Sequence, residues 1–463
     1  MPTPVPHDRR WLALGVIGIA QLMVVLDVTI VNIALPSAQR ELGFSNDDRQ
    51  WVITAYALAF GSLLLLGGRI GDLFGRKRTF IAGLLGFAGA SAVGGAASSF
   101  EVLVAARACQ GVFGALLAPS ALSLLTTTFT DPTERGKAFA IYAAIAGMGG
   151  AIGLLLGGAL TELLDWRWCL YVSVVFALPA ALVASRLLRH VPVTNRPRLD
   201  VRGALLASTG LFALVFGLSR AESEGWGDVS TVVSLVASAT LLTSFVAVQR
   251  RTKEPLLPLR IVTDRDRGAS FIAIATASAG LFGLFLFLTY YLQLTKGFSA
   301  FETGLAFLPM SLSIAPTVGI VTTKVLARTG PRPLVPAGLL VGGLGMLLLT
   351  RLEPDSAYAT HVLPSLILIG IGFGLTIAPS FATATHGIPP RDAGVASAMV
   401  NTSQQIGGSI GTALLSSVGA GSLTTAYWWA GGLWLAGALV VGTMFRSDTR
   451  PAVAHAPGEA VPA

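Results

Sequence analysis

Charged side chains are scarce in this sequence. Asp, Glu, Lys and Arg make up only 12% of its 463 residues, whereas soluble domains carry about 25%. Hydrophobic residues make up 53%, and the mean hydropathy is +0.70. Apolar runs long enough to cross about 30 Å of hydrocarbon recur along the chain. Because lipid leaves backbone polar groups no partner outside the segment, each run is predicted to be a helix. The sequence therefore predicts an all-α integral membrane protein.

Catalytic and metal-binding motifs are also missing. The sequence has no GxxxxGK[ST] phosphate loop, no HExxH and no paired-cysteine metal spacing. Its two cysteines, Cys109 and Cys169, lie in or at the start of apolar runs and need no disulfide. We therefore expect no enzyme activity, no cofactor and no metal, and any transport must draw its energy from a gradient or a partner.

The apolar runs predict fourteen transmembrane spans, so both termini are expected on the same side of the membrane. The approximate spans are 11–35, 51–68, 79–98, 102–127, 138–163, 168–185, 203–219, 230–249, 269–293, 303–323, 333–350, 359–380, 393–419 and 425–445.

The distribution of basic residues predicts the orientation, because cytoplasmic loops hold an excess of Lys and Arg. With the N-terminus inside, most of the 32 basic residues fall in cytoplasmic segments, most densely in 186–202 and 250–267. The net charge of +8 is thus a topology signal that also suits anionic lipid headgroups, and no nucleic-acid surface is predicted. The expected location is the plasma membrane, with 1–10 and a disordered tail, 446–463, in the cytoplasm.

Two charges lie deep inside predicted spans. Asp27 is the acid and Arg107 the base, while all five histidines fall in loops, tails or span ends. By helical rise, Asp27 lies about 13 Å and Arg107 about 8 Å from the outer ends of their spans. An intramembrane acid is a functional candidate by default, so Asp27 is the predicted proton carrier, paired with Arg107 directly or through water. The alternative is a pair that serves packing alone.

Internal repeats divide the chain. Phe113–Ser120 is echoed by Phe373–Ser380, and two further matches, 82–85 with 337–340 and 149–153 with 407–411, follow in the same order. Transporters are commonly built from such repeats. We predict six-helix halves at 11–185 and 268–445. The segment 186–267 would hold basic loops and two inserted helices, at about 203–219 and 230–249.

The short loop after the second span predicts a conformational latch. Gly75 permits a tight turn there, and Asp72 could pair with a nearby Arg or sit at the N-terminus of another helix. The alternative is a basic topology loop with a stray acid. The predicted latch residues are Gly68, Arg69, Gly71, Asp72, Gly75, Arg76 and Lys77.

These residues carry a family resemblance. Gly68–Arg78 resembles the signature loop of the major facilitator superfamily. Leu26–Pro36, Trp51–Tyr56 and the fourteen spans resemble its drug:proton antiporter branch, and Arg107–Gly111 is similar to the fourth-helix motif whose Arg is linked to proton transfer. The resemblance implies the major facilitator fold and proton-coupled export of hydrophobic or amphiphilic compounds, including cations, by a monomer.

One departure from the family pattern leaves the direction of transport open. Antiporters usually carry Gly-Pro in the fifth helix, whereas Leu154 follows Gly153 here. A proton-coupled importer of a small solute stays an alternative, as does a receptor or channel that transports nothing. The helix-packing glycines expected in this span are Gly149, Gly153, Gly157 and Gly158.

Substrate contacts are harder to predict. Polar and aromatic residues in inward-facing spans are candidates for a central cavity, where aromatic rings could hold a cation. Taken singly, each is better explained as a helix-packing residue that forms interhelical hydrogen bonds. The candidates are Gln21, Asn32, Tyr56, Gln110, Tyr142, Tyr290, Tyr291, Gln293, Asn401, Gln404 and Gln405.

Overall fold

The computed structural model describes residues 7–188, 199–321, 325–419 and 422–446, and within these ranges the regular structure is helical. The helices, two of them short, are α1 (His7–Leu42), α2 (Asn46–Phe74), α3 (Arg76–Gly95), α4 (Phe100–Thr128), α5 (Pro132–Leu163), α6 (Trp168–Leu187), α7 (Val201–Ser223), α8 (Val229–Arg251), α9 (Arg260–Thr263), α10 (Arg265–Tyr290), α11 (Ala300–Ile320), α12 (Leu326–Thr329), α13 (Pro331–Leu348), α14 (Leu363–Thr385), α15 (Ala393–Gly419) and α16 (Leu423–Met444).

The long helices coincide with the predicted spans, so the all-α membrane fold is confirmed. Ten of them are long and apolar enough to cross a membrane, and α5, taken as one bent span, would be the eleventh. The other three, α3, α15 and α16, carry many Gly, Ser, Thr or Trp residues, which lowers their hydropathy. The count of fourteen spans stays a prediction. The loop 190–198 and most of the tail lie outside the described residues.

Short polar side chains set the starts of several helices. Ser45 accepts a hydrogen bond from the Asp48 amide at the start of α2, and Ser99 accepts one from Val102 at the start of α4. Each side chain satisfies one of the N–H groups that a helix start leaves unpaired. Between α2 and α3, Gly75 has φ of 94°, a conformation that disfavours other residues, so the two helices join with a single-residue turn.

The helices form two halves with the same internal packing. In the first, α1 packs on α4, α5 and α6, while α3 packs on α4 and α6. In the second, α10 packs on α14, α15 and α16, while α13 packs on α14 and α16. The halves meet where α2 packs on α15 and where α5 packs on α11. The inserted pair, α7 and α8, packs as a hairpin, and α7 lies against both α2 and α15.

The glycines of α5 lie where that helix touches its neighbours. A methyl group built on Gly153 would lie 1.8 Å from the Thr29 hydroxyl oxygen, so α1 and α5 approach closely without the missing proline. Gly149 and Gly157 face Val25 and Ile30 of α1 in the same way, and Gly158 lies beside Phe301 of α11.

We predict that the turn between α7 and α8 is extracellular. A cysteine at Gly227, a position with open space around it, should react with a membrane-impermeant maleimide added to intact cells. A cysteine at Lys253, which is exposed beyond the other end of α8, should react only after the cells are permeabilised. The background would be a variant without Cys109 and Cys169. The reverse labelling pattern would contradict the fourteen-span topology.

Candidate functional site

The two intramembrane charges form a direct ion pair. Arg107 Nη1 of α4 donates to Asp27 Oδ2 of α1 at 2.5 Å, and both residues are only 1% exposed. Taking two such charges out of water costs several kcal/mol each, and only close contact with further hydrogen bonds offsets that cost. The rest of the cluster provides those hydrogen bonds.

Both carboxylate oxygens of Asp27, and the Nε and Nη1 atoms of Arg107, have hydrogen-bond partners. Gln110 Nε2 donates to Asp27 Oδ1 at 2.9 Å and to Ser91 Oγ at 2.7 Å, while Gln110 Oε1 accepts from Arg107 Nη1 at 2.9 Å. Arg107 Nε donates to the Val52 carbonyl at 3.1 Å. The guanidinium carbon, Arg107 Cζ, lies 4.6 Å from the centre of the Tyr56 ring. We call these six residues the charge cluster.

Helical spacing explains how α4 presents this cluster. Arg107, Gln110 and Gly111 lie three and four residues apart, so they share one face of the helix. Gly111 lies at the contact with α2, where an added methyl group would come within 2.5 Å of the Tyr56 carbonyl oxygen. The missing side chain lets α4 approach α2 closely enough for Arg107 to reach Val52 and Tyr56.

The predicted latch residue Asp72 joins the two halves. Its carboxylate accepts hydrogen bonds from the backbone amides of Gly394 (3.1 Å) and Val395 (3.3 Å), at the start of α15. Arg76 Nη2 also donates to it at 3.0 Å, and the Asp72 side chain is 2% exposed. A carboxylate there satisfies unpaired N–H groups and suits the positive end of the helix dipole. We call this end of the bundle the latch end.

Other latch residues support the contact to different degrees. A methyl group on Gly68 would lie 2.5 Å from the Gly394 carbonyl oxygen, so α2 and α15 touch through their backbones. Gly71 lies against Ser120 of α4, and Lys77 donates to the Ser185 carbonyl of α6. The side chain of Arg69 is buried.

The described cavity candidates do not gather in one place. Tyr142 donates to Gln21 at 2.6 Å, joining α5 to α1. Asn401 bonds to the Ser397 carbonyl of its own helix, and Tyr291 bonds to the Glu353 carbonyl at the end opposite the latch. Tyr56 and Gln110 belong to the charge cluster, and Gln405 lies against Gly61 of α2. Gln293 and Gln404 are half-buried, and Tyr290 is exposed. The side chain of Asn32 is outside the described part.

The comparisons with known proteins agree with this architecture. A family model described as Major Facilitator Superfamily matches residues 17–412. The chain belongs to the major facilitator superfamily. The resemblance inferred from Gly68–Arg78 and the first-span motif is thereby confirmed, and the chain is a multi-pass membrane transporter.

Several relatives of this superfamily member carry names of resistance or export proteins. The chain is 54% identical over 425 residues to the puromycin resistance protein pur8 of Streptomyces alboniger, an alignment that covers 91% of this chain and 84% of the relative. It is 41% identical over 404 residues to the cephamycin export protein CmcT of Amycolatopsis lactamdurans, covering 86% and 83% of the two chains.

A solved structure shares the fold. The human organic anion transporter MFSD10 (TETRAN) matches with a TM-score of 0.71 and 17% sequence identity. The match covers 94% of this chain and 100% of the human chain, and at that identity it supports the fold alone.

A second polar contact between the halves of this major facilitator protein, after that of Asp72, involves a histidine that the sequence analysis did not predict. Arg135 at the start of α5 lies 3.0 Å from His386 Nδ1, just beyond the end of α14. Because arginine only donates, Nδ1 must accept, so the ring is neutral. Burial, followed by the charges of Arg135 and Arg267, lowers the pKa of His386 below its ordinary value of 6.5.

We predict that acid loosens this contact. The lowered pKa means that the contact favours the neutral imidazole. The contact is therefore at full strength above pH 6.5, the ordinary pKa, and weakens as the pH falls below that value and the ring takes up a proton. Spin labels at Lys137 and Arg391, exposed positions in opposite halves, should therefore move apart between pH 7.5 and about pH 5.5. His386→Gln should reduce that step, whereas His361→Gln, at the other end of the bundle, should not. An unchanged step in His386→Gln would contradict the prediction.

We predict that Asp72→Asn weakens the latch without unfolding the protein. The substitution removes the negative charge that attracts Arg76 and the positive end of the α15 dipole. The contact should therefore be weakened by about 1 to 2 kcal/mol. Turnover should fall about five- to thirtyfold, while substrate binding persists. Transport and equilibrium binding would be measured at matched abundance, with Glu254→Gln as the control acid. Normal turnover in Asp72→Asn would reduce the loop to a topology signal.

Proposed function

We propose that this transporter exports hydrophobic or amphiphilic antibiotics, including cationic ones, across the plasma membrane in exchange for protons. The observation that carries the proposal is the buried Asp27–Arg107 pair, because a carboxylate at this depth can bind and release a proton within the membrane. The names of the relatives support antibiotics as the substrate class and export as the direction. The chain would act as a monomer with both termini in the cytoplasm.

Proton coupling would follow from the electrostatics of the pair. Protonating Asp27 removes the charge that compensates Arg107, so the guanidinium must find other partners or water. A cationic substrate competes with the proton for the same negative charge. Export follows when Asp27 takes up a proton from outside and releases the compound, then loses the proton inside and admits the next.

The latch fits into this cycle as the gate on the cytoplasmic side. The basic residues favour placing the latch end in the cytoplasm. Asp72 joins the two halves at that end by binding the start of α15. With the latch end in the cytoplasm, this arrangement would be a state closed towards the cytoplasm. Reaching the inward-open state would require Asp72 to leave α15.

We predict that Asp27→Asn abolishes proton-driven transport. Inverted membrane vesicles with an imposed pH gradient should accumulate puromycin or ethidium through the unmodified protein, and Asp27→Asn vesicles should match empty ones. Glu162→Gln, an exposed acid of α5, is the matched control. Arg107→Lys keeps the charge but cannot donate to both Asp27 and Val52, so its rate should fall about tenfold.

Two outcomes would contradict the proposal. If Asp27→Asn vesicles still accumulate the compound in response to the gradient, Asp27 is not the proton carrier. If accumulation occurs only in right-side-out vesicles that are acidic outside, the protein is an importer, the alternative raised by Leu154.

A further inference from the structure

The carboxamide of Gln110 bonds to both Asp27 and Arg107, although these two residues already neutralise each other through their direct ion pair. It accepts from Arg107 through Oε1 and donates to Asp27 and Ser91 through Nε2. Ser91 of α3 and Gln110 of α4 are both 0% exposed. The orientation of the amide is determined by its neighbours, because the oxygen must face the guanidinium and the nitrogen must face the carboxylate.

We propose that Gln110, assisted by Ser91, is a positioning residue whose amide rotates when Asp27 takes up a proton and thereby weakens the hold on Arg107. The proposal rests on the proposed function in one respect, which is that Asp27 binds protons. It adds the step by which proton binding reaches Arg107.

The proton should add to Asp27 Oδ1. Oδ2 faces the positive Arg107 at 2.5 Å, whereas Oδ1 faces the neutral amide. A hydronium ion transfers one proton to Oδ1, its O–H bond breaks as the new one forms, water is released, and the cluster gains one positive charge. The new O–H then points at the Gln110 N–H, so two donors face each other. The terminal torsion of a glutamine is broad and roughly twofold, and a half-turn brings Oε1 to accept from Asp27.

Ser91 permits this rotation because a hydroxyl both accepts and donates. It accepts from Gln110 Nε2 in the observed orientation, and it would donate to Oε1 after the half-turn. The rotated amide presents Nε2 to Arg107 Nη1, again donor against donor. Arg107 then loses its Gln110 acceptor and faces a neutral acid, while its contacts with Val52 and Tyr56 remain.

The groups around Asp27 leave this role to the charge cluster. Asp27 faces Tyr56 of α2, and Arg107 and Gln110 of α4. The helices α5 and α6 also pack on α1, but their buried titratable side chains bond elsewhere. Tyr142 donates to Gln21, and Cys169 contacts Thr161 and the Gly157 carbonyl.

Infrared difference spectroscopy of the full chain in lipid bilayers tests the proposal without a substrate. Acidification should produce a carbonyl stretch from protonated Asp27, identified by its loss in Asp27→Asn. In the unmodified protein the O–H donates to the Gln110 amide oxygen, which lowers the carbonyl frequency. Gln110→Met has a similar length but no acceptor, so the band should move to higher frequency. Ser91→Ala should broaden the band, because the amide loses one partner in each orientation.

Gln21→Met is the matched control, since it removes another buried amide, on α1, that bonds to Tyr142 instead of Asp27. Its Asp27 band should not move. Gln110→Asn, which keeps an amide too short to reach both Asp27 and Ser91, replaces Gln110→Met if that variant misfolds, and should also raise the frequency.

The outcomes separate this proposal from the proposed function. If acid produces no Asp27 band in the unmodified protein, Asp27 does not take up a proton and both fail. If the band appears but its frequency does not change in the folded Gln110 variants, the protonated Asp27 does not donate to the Gln110 amide oxygen. Only the positioning role is then overturned.

Discussion

The buried ion pair between Asp27 and Arg107 constrains how the helices of the first half can pack. Breaking such a pair by removing one partner costs about 3 to 5 kcal/mol, because an uncompensated charge stays in a medium that cannot solvate it. The surrounding polar groups reduce that cost only if they come close. Glycines at the contacts therefore matter as much as the charges, and Gly111 lets α4 approach α2 so that Arg107 reaches the Val52 carbonyl.

The two halves share a packing pattern but divide the chemistry. The charge cluster lies within the first half, on α1, α2, α3 and α4. The second half contributes the start of α15, whose amides hold Asp72. At the offset of 255 residues that separates the repeated segments 82–85 and 337–340, Asp27 corresponds to Phe282, which lies against Gly408 of its own half. A symmetric scaffold thus carries an asymmetric set of polar groups, with the acids in the first half and the amide donors of the latch in the second.

The sequence could predict the charges but not their surroundings. Asp27 and Arg107 stand out because charges inside apolar runs are rare. Asp72 stands out because glycines flank it in a basic segment, which was predicted as a loop but forms the end of α2. Ser91 carries no such signal, since serine is ordinary in a helix rich in Gly and Ala. The α15 amides that bind Asp72 are more than 320 residues away along the chain, and no local pattern encodes a contact at that separation. Gln110 could have been placed beside Asp27 from its helical spacing to Arg107.

The helix α2 connects the two places where charge is held. Near one end it offers the Val52 carbonyl and the Tyr56 ring to Arg107, and at the other it presents Asp72 to α15. Twenty residues separate Val52 from Asp72, which is about 30 Å of continuous helix. The ion pair itself lies wholly within one half, so a change in its charge does not by itself separate the halves. The change must travel through an element that touches both, and α2 does so, because it packs on α4 beside the pair and on α15 at the latch. Partial release of Arg107 from Asp27 and Gln110 would leave it bound to one end of α2 through Val52 and Tyr56, and the other end of the same helix carries the carboxylate that joins the two halves.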